Sequence, residues 1–211
     1  MVLPNGVVGV LLAGGRSSRM GGGDKCLRTV GGRPILAWSI DRLRPQVSDM
    51  IINANEDAAR FADFGLPVVP DSIVGYAGPL AGVHAGLQWV KANRPDMSHV
   101  VTVATDTPFL PADLVRRFLA AAQDKSAFCI AQSEAGTHPV IGLWPVTLAA
   151  ALRVSLERGE RKVGAWTKDH GAVPVFFPPV DVGGQSIDPF FNINAPEDLA
   201  KAEALLSENT P

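Results

Sequence analysis

Apolar residues fall in short runs separated by longer stretches in which they recur every three or four positions. The first run, Val7-Val8-Gly9-Val10-Leu11-Leu12, is rich in β-branched residues and stops at Gly14-Gly15. It lacks polar alternation, so it reads as a strand buried on both faces, the habit of parallel sheets. Further runs follow at Met50-Ile51-Ile52, Val68-Val69, Val100 to Val103, Phe128-Cys129-Ile130, Val140 to Leu143 and Val173 to Phe177. Helical spacing lies between most of them: Ile35, Ile40 and Leu43; Leu80, Val83, Leu87 and Val90; Leu114, Val115, Phe118 and Leu119; Leu148, Leu152 and Leu156. Strand and helix in alternation predict a three-layer α/β fold with helices on both faces of a mostly parallel sheet. The short link Gln132 to Gly136 predicts a hairpin, and with it one antiparallel pair. Pro196, Glu197 and Asp198 suit the start of a last helix running to about Leu206. No linker interrupts the pattern, so a single domain over residues 1–211 is expected, with a frayed tail from Ser207.

Composition narrows the class. A chain of 211 residues can bury on the order of 70% of its unfolded surface without a disulfide scaffold. Cys26 and Cys129 lie far apart with no CxxC or Cys/His spacing, which disfavours a zinc site and fits reduced thiols. Nineteen basic residues against 21 acidic ones argue against a nucleic-acid partner. No apolar stretch reaches the roughly 18 residues of a membrane span, and no cationic leader opens the chain, so a cytoplasmic protein with no membrane partner is expected.

Glycine is where composition becomes chemistry. Nine of the 21 glycines fall between Gly6 and Gly32, centred on Leu12-Ala13-Gly14-Gly15-Arg16-Ser17-Ser18-Arg19-Met20-Gly21-Gly22-Gly23-Asp24-Lys25. A glycine-rich loop at the carboxyl end of a buried first strand can turn its amides onto an anion, and open α/β sheets bind ligands at that edge. Arg16, Arg19 and Lys25 add local positive charge. Neither a Walker A loop nor GxGxxG fits these positions. Asp106, directly after the Val100 run, suits either a divalent cation or a helix N-cap. Asp71 and Asn53 each follow a strand and suit nucleotide contact, with a turn as the alternative. Asn192 and Asn194 share a face if extended, though Asn194 also suits a cap of the last helix. His138 suits a site or the core. The four Trp residues are scattered and read as packing. Lys25 beside Cys26 can lower its pKa, without making a covalent mechanism necessary.

Leu12 to Lys25 resembles the LAGGxSxRMGxxDK signature of the molybdenum cofactor guanylyltransferases, members of the nucleotidyltransferase superfamily. Further matching segments are Asn53-Ala54-Asn55, Pro70-Asp71, Gly78-Pro79-Leu80-Ala81-Gly82, Thr105-Asp106-Thr107-Pro108, His138-Pro139, Gly159-Glu160-Arg161 and Asn192-Ile193-Asn194, together covering roughly residues 7 to 203. The resemblance implies a Rossmann-like nucleotidyltransferase fold. It implies GTP on Leu12, Ala13, Gly14, Gly15, Asn53, Asp71, Gly78 and Gly82, and Mg²⁺ on Asp106. It implies pterin-side contacts from Arg161, Asn192 and Asn194, a place near the pterin for the His138-Pro139 pair, and charge partners for the reaction in Arg19, Lys25 and Asp106. Lys162 departs from the family's second arginine and cannot form a planar fork, which weakens its own assignment. The implied reaction moves GMP from GTP to the terminal phosphate of molybdopterin. The cytidylyltransferase branch, which uses CTP, and a non-catalytic nucleotide or pterin carrier are the competing readings; Gly14 and the Gly78 segment favour GTP. A monomer with transient contacts to delivery chaperones or apo-molybdoenzymes is expected.

Overall fold

The computed structural model describes residues 6–14, 24–73, 78–122, 126 and 128–207. In chain order the elements are β1 (Val7–Leu12), β2 (Thr29–Val30), β3 (Arg33–Pro34), α1 (Ile35–Leu43), β4 (Asp49–Asn53), β5 (Val68–Val69), α2 (Pro79–Asn93), β6 (His99–Ala104) and α3 (Leu114–Ala121). They continue with β7 (Cys129–Ser133), β8 (Gly136–Pro145), α4 (Ala149–Glu157), α5 (Val163–Asp169), β9 (Val173–Phe176), β10 (Val180–Val182), β11 (Gln185–Ile187) and α6 (Pro196–Ser207).

A seven-stranded sheet of order β5-β4-β1-β6-β8-β7-β9 forms the middle layer. The strands β5, β4, β1 and β6 are parallel, as are β7 and β9. The predicted hairpin joins β7 to β8, but β8 then inserts between β6 and β7 and runs against both, giving two antiparallel pairings where one was expected. Its direction has a consequence for the site. Every neighbour ends at one edge of the sheet, and β8 begins there.

The uninterrupted apolar run of β1 is explained by cover on both sides. Val7 and Leu11 point to one face, with Leu36, Leu43, Leu114 and Phe118 of α1 and α3. Val8 and Val10 point to the other, with Leu80, Val83, Leu152 and Trp166 of α2, α4 and α5. A third cluster, including Val30, Ile35, Phe109, Ile187 and Leu205, gathers α6 and the two small hairpins. Those hairpins and α5 are too short for their periodicity to stand out in the sequence; Gly183-Gly184 simply joins β10 to β11. The scattered Trp residues do pack: Trp144 is fully buried, 4.4 Å from the Phe128 ring centroid and 5.9 Å from that of Trp166. No described helix is long and apolar enough to cross a membrane.

Candidate active site

The residues that end β5, β4, β1 and β6, together with the start of β8, border one cavity of about 560 Å³. The register sets their order along the sheet edge: Leu12 lies beside Asn53 on one side and Ala104 on the other, and Asn53 beside Val69. Asp71 and Asn53 therefore stand at one end, Asp106 in the middle and His138 at the other. Three strand spacings, about 14 Å, separate the β4 and β8 ends. A dinucleotide-sized ligand or two smaller ones fit such a length.

At the β5 end the three polar side chains bind one another. The Asp71 carboxylate accepts from Asn53 Nδ2 at 3.0 Å and from Asn55 Nδ2 at 2.9 Å, and the Asp71 amide donates to Asn55 Oδ1 at 2.9 Å. Asn53 Nδ2 also donates to the Val69 carbonyl at 3.1 Å. Both amide hydrogens of Asn53 are spent and the residue is buried, so its main effect is to hold Asp71 in place. Asn55 was not singled out among the expected site residues, although its two-residue spacing from Asn53 was the available signal.

Gly82 differs from expectation in its place. It lies one turn inside α2 and does not line the cavity; an added Cβ would overlap Asn53 Oδ1 and come within 2.7 Å of Leu12 Cδ2. Its missing side chain lets α2 approach these two residues from behind. Gly78 does line the cavity, and its φ of 74° is a left-handed conformation that glycine adopts without strain. Pro79 follows at the first helical position and also lines the cavity, so the amino end of α2 faces the ligand space.

Asp106 lines the middle of the cavity; Lys25 and Asn194 are not lining residues and are bonded to it as a group. Lys25 Nζ donates to Asp106 Oδ2 at 2.6 Å and to Asn194 Oδ1 at 2.5 Å. The Ile193 amide donates to the Asp106 carbonyl at 3.0 Å, binding the 192–194 segment to the loop after β6. Of Asp106's two readings, the helix cap finds no partner here: Oδ1 is buried and accepts no hydrogen bond. Asn194 does not cap α6 either. Asp198, the third residue of α6, instead reaches back, its Oδ2 accepting from the Asn194 and Ala195 amides at 2.8 and 2.9 Å. Asn192 lines the cavity beside Asp106. Leu12 and Gly14 line it too, and the Ala13 amide is tied to the Asn53 carbonyl at 2.8 Å. Gly15, Arg16 and Arg19 lie outside the described residues.

Arg161 has its carbonyl 3.9 Å from where a Cβ on Gly78 would stand. Its Nη1 donates to the Leu156 and Glu160 carbonyls at 2.8 and 2.9 Å, at the end of α4, and it is not a lining residue. Cys26 corrects expectation: burial, followed by the Asp24 carboxylate, pushes its thiol up to about 11. Lys25 directs its ammonium at Asp106 and Asn194, so it does not activate the neighbouring sulfur.

At the β8 end, His138 lines the cavity with its Nε2 2.8 Å from Ser133 Oγ. Ser133 Oγ donates to Asp188 Oδ2 at 2.6 Å. Burial lowers the His138 pKa, with Asp188 acting in the opposite direction. Ser133 and Asp188 carried no signal in the sequence, because 55 residues separate them and only the fold unites them.

Comparison with known proteins bears on the family and the fold. The model of the MobA-like NTP transferase domain matches residues 9–173. The chain is 50% identical to the molybdenum cofactor guanylyltransferase of Bradyrhizobium sp. (strain ORS 278) over 201 residues, 94% of this chain and 92% of that one. Its identity to the protein of the same name from Mesorhizobium japonicum is 46% over 206 residues, 97% of this chain and 98% of that one. Among solved structures, the molybdopterin-guanine dinucleotide biosynthesis protein A of Archaeoglobus fulgidus has a TM-score of 0.71 at 20% identity, covering 95% of this chain and 99% of that one. A Mycobacterium tuberculosis protein solved in complex with manganese has a TM-score of 0.65 at 17% identity, over 94% and 98% of the two chains. These last two share the fold. With the family model spanning most of the sequence and near-full-length relatives at such identity, the chain belongs to the MobA-like NTP transferase family, nucleotidyltransferases of molybdenum cofactor biosynthesis.

Proposed function

We propose that the enzyme transfers GMP from GTP to the terminal phosphate of molybdopterin, forming molybdopterin guanine dinucleotide and pyrophosphate. The observation that carries this reading is the buried, unpartnered Oδ1 of Asp106 at mid-cavity, beside an ammonium held by Asp106 and Asn194. The Asn53–Asp71–Asn55 cluster to one side offers a rigid acceptor surface for the nucleoside; the His138 end remains for the pterin.

A terminal phosphate oxygen of molybdopterin attacks the α-phosphorus of GTP. The new P–O bond forms as the bond to the bridging β-oxygen breaks, and the electron pair leaves with pyrophosphate. The nucleophile is already an anion, so no side chain has to remove a proton. The protein's work is alignment and charge neutralisation. Lys25, in reach of Asp106 and Asn194, offsets phosphate charge, and the amino end of α2 adds its partial positive charge.

Mg²⁺ fits Asp106. Among the described residues no cluster of three or more His, Cys, Asp or Glu comes together, and a hard cation held by one or two carboxylates plus substrate phosphates needs none. Bound there, the ion would neutralise triphosphate charge.

The test is pyrophosphate release with each of the four nucleoside triphosphates, Mg²⁺ and molybdopterin. GTP is expected to be the preferred donor. Preference for CTP would assign the cytidylyltransferase reaction, and no release with any nucleotide would leave a carrier.

A further inference from the structure

We propose that Asp188, Ser133 and His138 form a hydrogen-bond relay that fixes the His138 ring as an acceptor at the β8 end of the cavity, where it selects the N–H edge of the second substrate's heterocycle. This rests on the transfer reading above for the identity of that substrate.

The proton count decides the orientation. A serine hydroxyl has one proton to donate and two lone pairs. Ser133 Oγ gives its proton to Asp188 Oδ2 at 2.6 Å and accepts from the Ala135 amide at 3.2 Å. One lone pair remains, and His138 Nε2 lies 2.8 Å from it. Nε2 must therefore carry a hydrogen. Were Ser133 to donate to the ring instead, its oxygen would face the Asp188 carboxylate at 2.6 Å with no proton between them. Asp188 is itself held, since its Oδ1 accepts from the Phe190 amide at 2.7 Å. In the neutral ring the lone pair then sits on Nδ1, and burial favours the neutral form.

Packing fixes the ring as well as its tautomer. The His138 centroid lies 4.7 Å from that of Phe190, which also lines the cavity. Ser133 is buried, and strand pairing of Ala131 with His138 sets the height of the ring above the sheet. An acceptor held in this way matches a ring N–H or amino group, as on a pterin. Guanine has such groups too, but the nucleoside cluster stands about 14 Å away along the edge. His138 would touch substrate; Ser133 and Asp188 are positioning residues.

Two measurements test this. In ligand-free wild-type protein, ¹⁵N shifts of labelled histidine are expected to show His138 protonated at Nε2, and Ser133→Ala or Asp188→Asn to mix the tautomers; an Nδ1–H ring in the wild type would overturn the relay. In steady-state kinetics, His138→Phe keeps an aromatic ring against Phe190 but has no acceptor. The loss of about one hydrogen bond is expected to raise KM for molybdopterin roughly fivefold to tenfold, with KM for GTP unchanged. His138→Asn, which restores an acceptor near Nδ1, is expected to recover part of the loss. An unchanged KM for molybdopterin in His138→Phe, or an equal rise in both KM values, would overturn the selective role. A wild type that releases no pyrophosphate from GTP would instead refute the transfer reading, while the tautomer result still decides the relay.

Discussion

Replacing Asp106 with Asn is expected to lower turnover about 100-fold or more while leaving the fold intact, because the exchange removes a charge at the reaction centre and keeps the shape. Asp106 receives Lys25 on Oδ2, and its Oδ1 is buried without a partner. An amide at the same position can still accept from Lys25, but it cannot hold a divalent cation against the triphosphate with comparable strength. Lys25→Ala is expected to show a loss of the same order, since it removes the other charged member of the pair. Because the two act on one centre, the double variant should fall well short of the product of the single losses. Steady-state pyrophosphate release, with circular dichroism to check the fold, measures this. Turnover within threefold of wild type in Asp106→Asn would remove the residue from the chemistry.

The largest stability loss is expected at Trp144. Its ring is fully buried between Phe128 and Trp166, and its Nε1 donates to Thr102 Oγ1 at 2.7 Å. Thr102 Oγ1 in turn donates to the Val140 carbonyl at 2.6 Å. The chain of bonds links β6 to β8 directly below the cavity, where Val140 is a lining residue. Trp144→Ala leaves a large void and removes the hydroxyl's donor, so a destabilisation of about 3–5 kcal/mol is expected. Trp144→Phe refills most of the volume and should lose less, on the order of 1–3 kcal/mol for the unmatched hydrogen bond. Denaturant midpoints at constant m-value report both. A loss below about 1 kcal/mol in the alanine variant would mean that this cluster does not hold the two strands together.

Much of the architecture is readable from local pattern. A strand covered on both faces shows as an unbroken β-branched run, as Val7–Leu12 does, and α2 and α3 keep helical spacing. The placement of β8 was not readable in this way. A hairpin turn specifies that two strands are antiparallel, and it leaves open whether the second lies outside the first or inserts beside β6. Insertion is a tertiary outcome, and it is what brings His138 to the edge where the parallel strands end. The same division holds within the site. Lys25, Asp71 and Asp106 could be found because each follows a strand or a glycine-rich loop. What each contacts depends on distant partners: Asn194 accepts from Lys25 across 169 residues, and Asn53 gives its hydrogens to Val69 and Asp71. Cys26 shows the limit of neighbour arguments. Its lysine neighbour projects elsewhere, and burial governs the thiol.

The central claim concerns which phosphate is transferred and to what. Incubation of the enzyme with molybdopterin, Mg²⁺ and GTP labelled at the α-phosphate, followed by chromatographic separation of the pterin fraction, follows that phosphate directly. The account predicts that the label appears in a molybdopterin dinucleotide, one label for each pyrophosphate released; label confined to free guanine nucleotides while pyrophosphate accumulates would contradict it.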